Sequence, residues 1–262
     1  MTADILRSIG LDRYDINARL KPALLALLPA IAVAAFWLPQ TRSLVASSSM
    51  GLIAASGLLF LLSQAARLQG RNIEKRLGDK IGRKHSARLL THGDNTIAAG
   101  TKERYHSFLR AHGIHLSTKS EEQSNANEAF ERARSAIDWL LEHTRPNAKA
   151  SMLHDENIAY GFNRNLYGLK PIAITLAIVA IASHATLLAL FRPDNQALWI
   201  GSSIGIFNLA LGLYWIFGVT RRAVEDASLA YAQRLFSQCE APAKQSAKKS
   251  ESKSVSEAAG PG

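Results

Sequence analysis

Charge is absent from four long stretches of this chain, and that absence constrains the fold more than any other feature. No Asp, Glu, Lys or Arg lies between Lys21 and Arg42, between Arg42 and Arg67, between Lys170 and Arg192, or between Asp194 and Arg221. An α-helix rises about 1.5 Å per residue, so each stretch is long enough to cross a hydrocarbon core of about 30 Å. Burying four such helices in a soluble protein would need more covering polypeptide than 262 residues supply. The sequence therefore predicts an all-α integral membrane protein. Its four transmembrane helices form two hairpins, with a helical cytoplasmic domain between them. The expected segments are an amphipathic cytoplasmic stretch at 1–20, hairpins at 21–68 and 169–219, the domain at 69–168, a cytoplasmic helix at 220–240 and a disordered tail at 241–262.

Overall composition hides this pattern. At 47% hydrophobic and 20% charged residues the chain has the profile of a soluble protein, because its charges are segregated. Lys and Arg gather outside the hairpins. Arg7, Arg13, Arg19 and Lys21 precede the first; Arg67, Arg71, Lys75, Arg76, Lys80, Arg83, Lys84 and Arg88 follow it; Arg164 and Lys170 precede the second; Arg221 and Arg222 follow it. Each hairpin turn holds one arginine, Arg42 or Arg192. Cytoplasmic flanks carry the excess of Lys and Arg, so both termini and the centre are expected on the cytoplasmic side of a bacterial inner membrane. The net charge of +10 follows from this topology and from attraction to anionic membrane lipid, which disfavours nucleic acid as a partner. The first apolar run starts late and is followed at once by a second, unlike a cleaved signal peptide. A single cysteine, Cys239, excludes an intramolecular disulfide.

The hairpins read as an internal repeat. "RLKPALLALLPAIAVAA" aligns with "GLKPIAITLAIVAIASHA", which places Leu20-Lys21-Pro22 on Leu169-Lys170-Pro171. Proline suits the first turn of a helix, and the lysine before it reaches toward headgroups. "SSSMGLIAASGLL" from Ser47 aligns with "GSSIGIFNLALGL" from Gly201. Ser47 with Gly51, and Gly201 with Gly205, are small pairs four apart, expected as helix-packing seams between hairpins or between subunits of a homo-oligomer.

In the centre, "THGDN" at Thr91–Asn95 reads as a turn. Thr101 is the expected N-cap of a helix that Gly113 stops, and "STKSEEQSNAN" reads as a polar loop. Residues 127–144 carry the clearest 3.6-residue period. "SARLL" is the one weak strand candidate.

The chain lacks the motifs of nucleotide, dinucleotide, zinc or nucleophile chemistry, so no cofactor, metal or catalytic residue is assigned. "HGIH" at His112–His115 has the elements of a metal pair, but glycine breaks the helix between the two imidazoles. Arg83, Lys84 and Arg88 in "GRKHSAR" are candidate phosphate or lipid contacts. Tyr160, Phe162, Asn163, Arg164 and Asn165, just before the third apolar run, read first as an interfacial aromatic belt and, in the sharper reading, as a candidate binding loop. His184 and Asn208 are polar residues within apolar runs and are candidates for an intramembrane role.

"TKERYH" from Thr101 and "ENIAYGFNRNLYGLKP" from Glu156 resemble segments of uncharacterised bacterial inner-membrane proteins, over all but the tail. The resemblance implies a bacterial origin and carries no activity. Bacterial defence effectors share the same general layout, by analogy only. Three functions stay open. The first is a non-enzymatic scaffold or effector that oligomerises and uses its cytoplasmic domain to sense or recruit a protein partner. The others are a small oligomeric channel or transporter, and a membrane enzyme acting on a lipid or phosphate group.

Overall fold

The computed structural model describes residues 12–37, 48–144 and 152–240, with side chains omitted for 48–55. Within them the chain is largely helical and contains no strand. Three helices are long and apolar enough to cross a membrane. They are α1 (Asp15–Trp37), α7 (Met152–Phe191) and the run Asn195–Gly218, which comprises α8 (Asn195–Leu213) and a π-helical turn, Tyr214–Gly218. Four spans were expected. The remaining one falls in α2 (Ser48–Leu77), whose side chains are described only from Ser56 onward, so the search for spans did not cover its first part.

The chain divides into two compact units. Met1–Arg76 and Ile158–Val224 form one; Leu77–Asn157 and Glu225–Gly262 form the other. The divisions fall eight residues after the expected boundary at 68 and eleven before that at 168, because α2 and α7 continue as helices past their apolar runs.

In the first unit, α1 opens with a π-helical turn at Asp15–Leu20. Ala26, Ala66, Leu166, Leu169, Ala173 and Trp215 make one core layer, and Val33, Trp37 and Ala180 another. Both Lys-Pro steps lie inside continuous helix, not at a first turn. Pro171 sits in mid-α7, and Pro22 follows the π-turn of α1. Packing against neighbouring helices offsets the backbone bond that each proline removes.

The second unit holds α3 (Gly82–Leu90), α4 (Ala99–Ala111), α5 (Lys119–Ser124), α6 (Ala126–Thr144) and α9 (Arg221–Phe236) from Glu225 onward. Leu89, Leu90, Leu109, Ile137, Leu140, Leu235 and Phe236 fill its core. "SARLL" is helical, because Ala87, Leu89 and Leu90 all point into this core at helical spacing. The polar "STKSEEQ" stretch is not only loop. Thr118 and Glu121 form a reciprocal capping box that starts α5. Thr101 lies inside α4, whose N-cap is Ala98. Gly78 ends α2 at φ +59°, and Gly113 ends α4 at φ +79°, conformations that side chains disfavour.

Candidate functional site

"GFNRN" is not a loop. Residues 160–165 lie within α7, and their side chains build a crossing of α1, α2 and α7. Gly161, Asn165 and Gly168 fall on one face of α7, within an arc of about 60° at 100° per residue. At each glycine another helix comes too close for a side chain. A Cβ on Gly168 would lie 2.8 Å from the Gln69 carbonyl carbon and 2.9 Å from the Gly70 nitrogen. A Cβ on Gly161 would lie 2.6 Å from the Tyr14 hydroxyl, and one on Gly70 would run into the Asn165 amide.

Asn165 is fully buried, and its Nδ2 donates to the Ala18 carbonyl at 2.6 Å. The reason lies four residues further along α1. The α-helical donor to Ala18 would be residue 22, which is proline and has no N–H. Here α7 supplies the donor that Pro22 lacks, while the π-type donor to Ala18, five residues on, is Ala23. Arg164 Nη1 donates to Glu74 Oε2 on α2 at 2.7 Å, and its guanidinium lies over the buried Tyr160 ring, 5.3 Å from the centroid. Asn163 bonds back to the Ala159 carbonyl within its own helix at 2.9 Å, and Phe162 is half-buried against the core. Arg164 and Asn165 are thus used between helices, and Asn163 within one. Sequence reading missed Glu74 and the three glycines; the spacing of Gly161, Asn165 and Gly168 was the signal for the face.

Further along this unit, His184 ties three helices together. Trp37 Nε1–H of α1 donates to His184 Nδ1 at 3.1 Å, and the other ring nitrogen is 2.8 Å from the Gly201 carbonyl of α8. Indole nitrogen only donates and carbonyl oxygen only accepts, so the ring is the neutral Nε2–H tautomer with both nitrogens satisfied. Phe36 packs edge-on against it at 5.6 Å. A Cβ on Gly201 would lie 2.9 Å from Leu188 and 3.2 Å from Phe36, so this seam is filled within one chain. Gly205 faces His184. Ser47 lies outside the described residues, and Gly51 within the stretch described by backbone alone. Asn208 is fully buried, and neither atom of its amide has a hydrogen-bond partner among the described residues.

In the second unit several buried polar groups are bonded internally. Lys102, 4% exposed, donates to the Thr91 carbonyl at 2.5 Å and to the Asp94 carbonyl. Burial holds its pKa below the usual range, against the pull of Asp94 and Glu122. The Glu122 carboxylate accepts from the His92 and Gly93 amides at 2.7 and 2.8 Å, so it pins the same turn. Burial also lowers the pKa of His106, bonded to the Leu90 carbonyl, and of His85, 3.0 Å from Ser228 Oγ. Burial pushes the Cys239 thiol up to about 12, the opposite of a reactive thiolate.

Of Arg83, Lys84 and Arg88, the two arginines are ion-paired. Arg83 pairs with Asp138 at 3.0 Å, and Arg88 with Asp79 and Asp94 at 3.5 Å each. His112 donates Nδ1–H to the Phe108 carbonyl and sits among the rings of Phe108, Trp139 and His143. Among the described residues no group of three or more His, Cys, Asp or Glu side chains is placed to hold a metal ion. Compared with known proteins, the chain matches no family model, no curated protein and no solved structure.

Proposed function

We propose that this chain is a multi-pass bacterial inner-membrane protein whose hairpins anchor a cytoplasmic helical unit that senses or recruits a partner. In this reading α2 completes the fourth span and both termini are cytoplasmic. One observation carries it. The apolar helices turn many large side chains outward, with Trp199 77%, Phe217 73% and Leu190 72% exposed, while polar His184 and Asn208 are buried. That is the inverse of a water-soluble surface and suits hydrocarbon as the solvent. The same burial speaks against a channel through one chain, since the two residues best suited to line a wet path face other helices. The second unit, with its own core and helix pairing, supports a binding role over catalysis. Its buried histidines are bonded internally, and its cysteine is held protonated. Self-association, also proposed, would use faces other than the filled Gly201 seam.

Cysteine labelling in intact cells tests the topology, with Cys239→Ala as background. An impermeant thiol reagent is expected to label Asn195→Cys and spare Ser120→Cys. Labelling of Ser120→Cys before lysis sinks the orientation. Crosslinking from exposed positions of the second unit, followed by identification of the adduct, tests recruitment; no adduct beyond the chain itself counts against it.

A further inference from the structure

The anion site that sequence placed at Arg83, Lys84 and Arg88 has a better-formed counterpart on α2. That helix carries Arg67, Arg71, Lys75 and Arg76 and a single carboxylate, Glu74. Glu74 is already engaged by Arg164, and the four cations form no ion pair among the described residues. The rotation of α2 is fixed by its crossing, since Gly70 faces Asn165 while Leu62 and Ala66 are buried. At 100° per residue, Arg67, Arg71 and Lys75 then fall on the opposite face, in the same arc of about 120° as Phe60, Leu61 and Leu68. Those three apolar residues are 61%, 64% and 59% exposed. One face of one helix therefore runs from exposed hydrocarbon to unpaired cations, with Leu68 among them.

We propose that this stripe binds an anionic phospholipid, with acyl chains along Phe60 and Leu61 and the headgroup phosphate against Arg67, Arg71 and Lys75. The inference rests on the membrane reading above. Charge complementarity and the adjoining apolar surface select the occupant, because a soluble anion has no use for Phe60 and Leu61. Within a negatively charged leaflet each such cation adds attraction at the surface. The planar arginines add bidentate contacts to phosphate oxygens.

Thermal unfolding of the purified full chain in a neutral detergent tests the site. Added phosphatidylglycerol is expected to raise Tm by about 3–5 °C at saturation. Phosphatidylcholine and inorganic phosphate should leave Tm unchanged. Arg71→Gln, Lys75→Gln and the double variant should keep the lipid-free Tm, since both side chains are exposed, and lose most of the shift. Arg71→Lys should keep part of it. An equal rise with phosphatidylcholine means apolar binding alone, and an equal rise with inorganic phosphate means a free anion; either overturns the proposal. So does a full shift in the double variant. Recovery of the native chain from cells without detergent would instead remove the membrane reading, a result read before any lipid is added.

Discussion

Leu20-Lys21-Pro22 and Leu169-Lys170-Pro171 stand at corresponding points of the two hairpins, in different surroundings. Lys21 is exposed, whereas Lys170 Nζ donates to the Ile216 and Val219 carbonyls at 2.8 and 2.9 Å. The partner helices explain the contrast. In the second hairpin the helical path after α8 ends at Gly218 and leaves carbonyls to be capped; in the first, α2 runs on to Leu77. At the prolines the debt runs the other way. Pro22 withholds a donor from Ala18, and Asn165 of the second hairpin provides it. In the alignment of the two Lys-Pro segments Asn165 falls on Ile16 and Gly168 on Arg19, so the residues that make the crossing are those at which the two segments differ. The crossing rests on what the two segments do not share.

The largest effect is expected where that difference is steric. Gly168→Ala places a methyl against the α2 backbone, which cannot rotate away as a side chain can. Overpacking of this kind costs about 1–3 kcal/mol. The Arg19-like substitution Gly168→Arg should cost more and separate α2 from α7. Denaturation in detergent with helicity as readout measures both. Wild-type stability in Gly168→Arg would mean that α2 and α7 do not cross there.

Next comes the hydrogen bond between hairpins. Asn165→Ala removes the side-chain donor to the buried Ala18 carbonyl, a loss of about 1 kcal/mol. Pro22→Ala restores an N–H able to serve that carbonyl, so Asn165→Ala should be milder in its background. A double-mutant cycle of denaturation free energies is expected to show coupling of about 1 kcal/mol. Additive losses would dissociate Asn165 from the proline. The same cycle between Asn165 and Pro171 should show none, which is the asymmetry restated as a measurement.

A smaller effect of opposite sign is expected at Asn208, which aligns with Ala54 in the repeat. Its buried amide lacks a partner among the described residues, so Asn208→Ala should stabilise by about 1 kcal/mol despite the volume lost. A clear loss of stability would show that the amide is satisfied by something beyond those residues, such as a water or a second chain.

The all-helical class could be read directly from the sequence, because uncharged runs of about 20 residues have few other solutions. So could the 126–144 helix, whose period is plain. "GFNRN" was misread because Gly and Asn are loop residues in water, while between packed helices glycine is what lets backbones approach. The basic motif at Arg83–Arg88 hid its ion pairs for a different reason. Its neutralising partners, Asp138 and Asp94, are distant in sequence or across a turn, and only tertiary packing reveals them. Asn165 was singled out as a ligand contact; its link to a carbonyl 147 residues away is a property of the fold alone.

The smallest expected effect separates the two lysines. Lys170→Met removes a cation from the C-terminal end of the α8 path and leaves the Ile216 and Val219 carbonyls without it. A cation at a helix C-terminus is worth about 0.3–1 kcal/mol, so global stability should fall only slightly. The local readout is sharper. Amide exchange over 214–220 should speed up as the π-turn frays, because the carbonyls that Lys170 holds are those that end it. Lys21→Met should leave that segment and its own hairpin unchanged, since Lys21 is exposed and α2 needs no cap at the corresponding point. Both substitutions remove one positive charge from a hairpin flank, so any shared change in membrane insertion cancels between them. Equal protection of 214–220 in the two variants would leave the Lys-Pro step as a topological signal in both hairpins and erase the distinction between them.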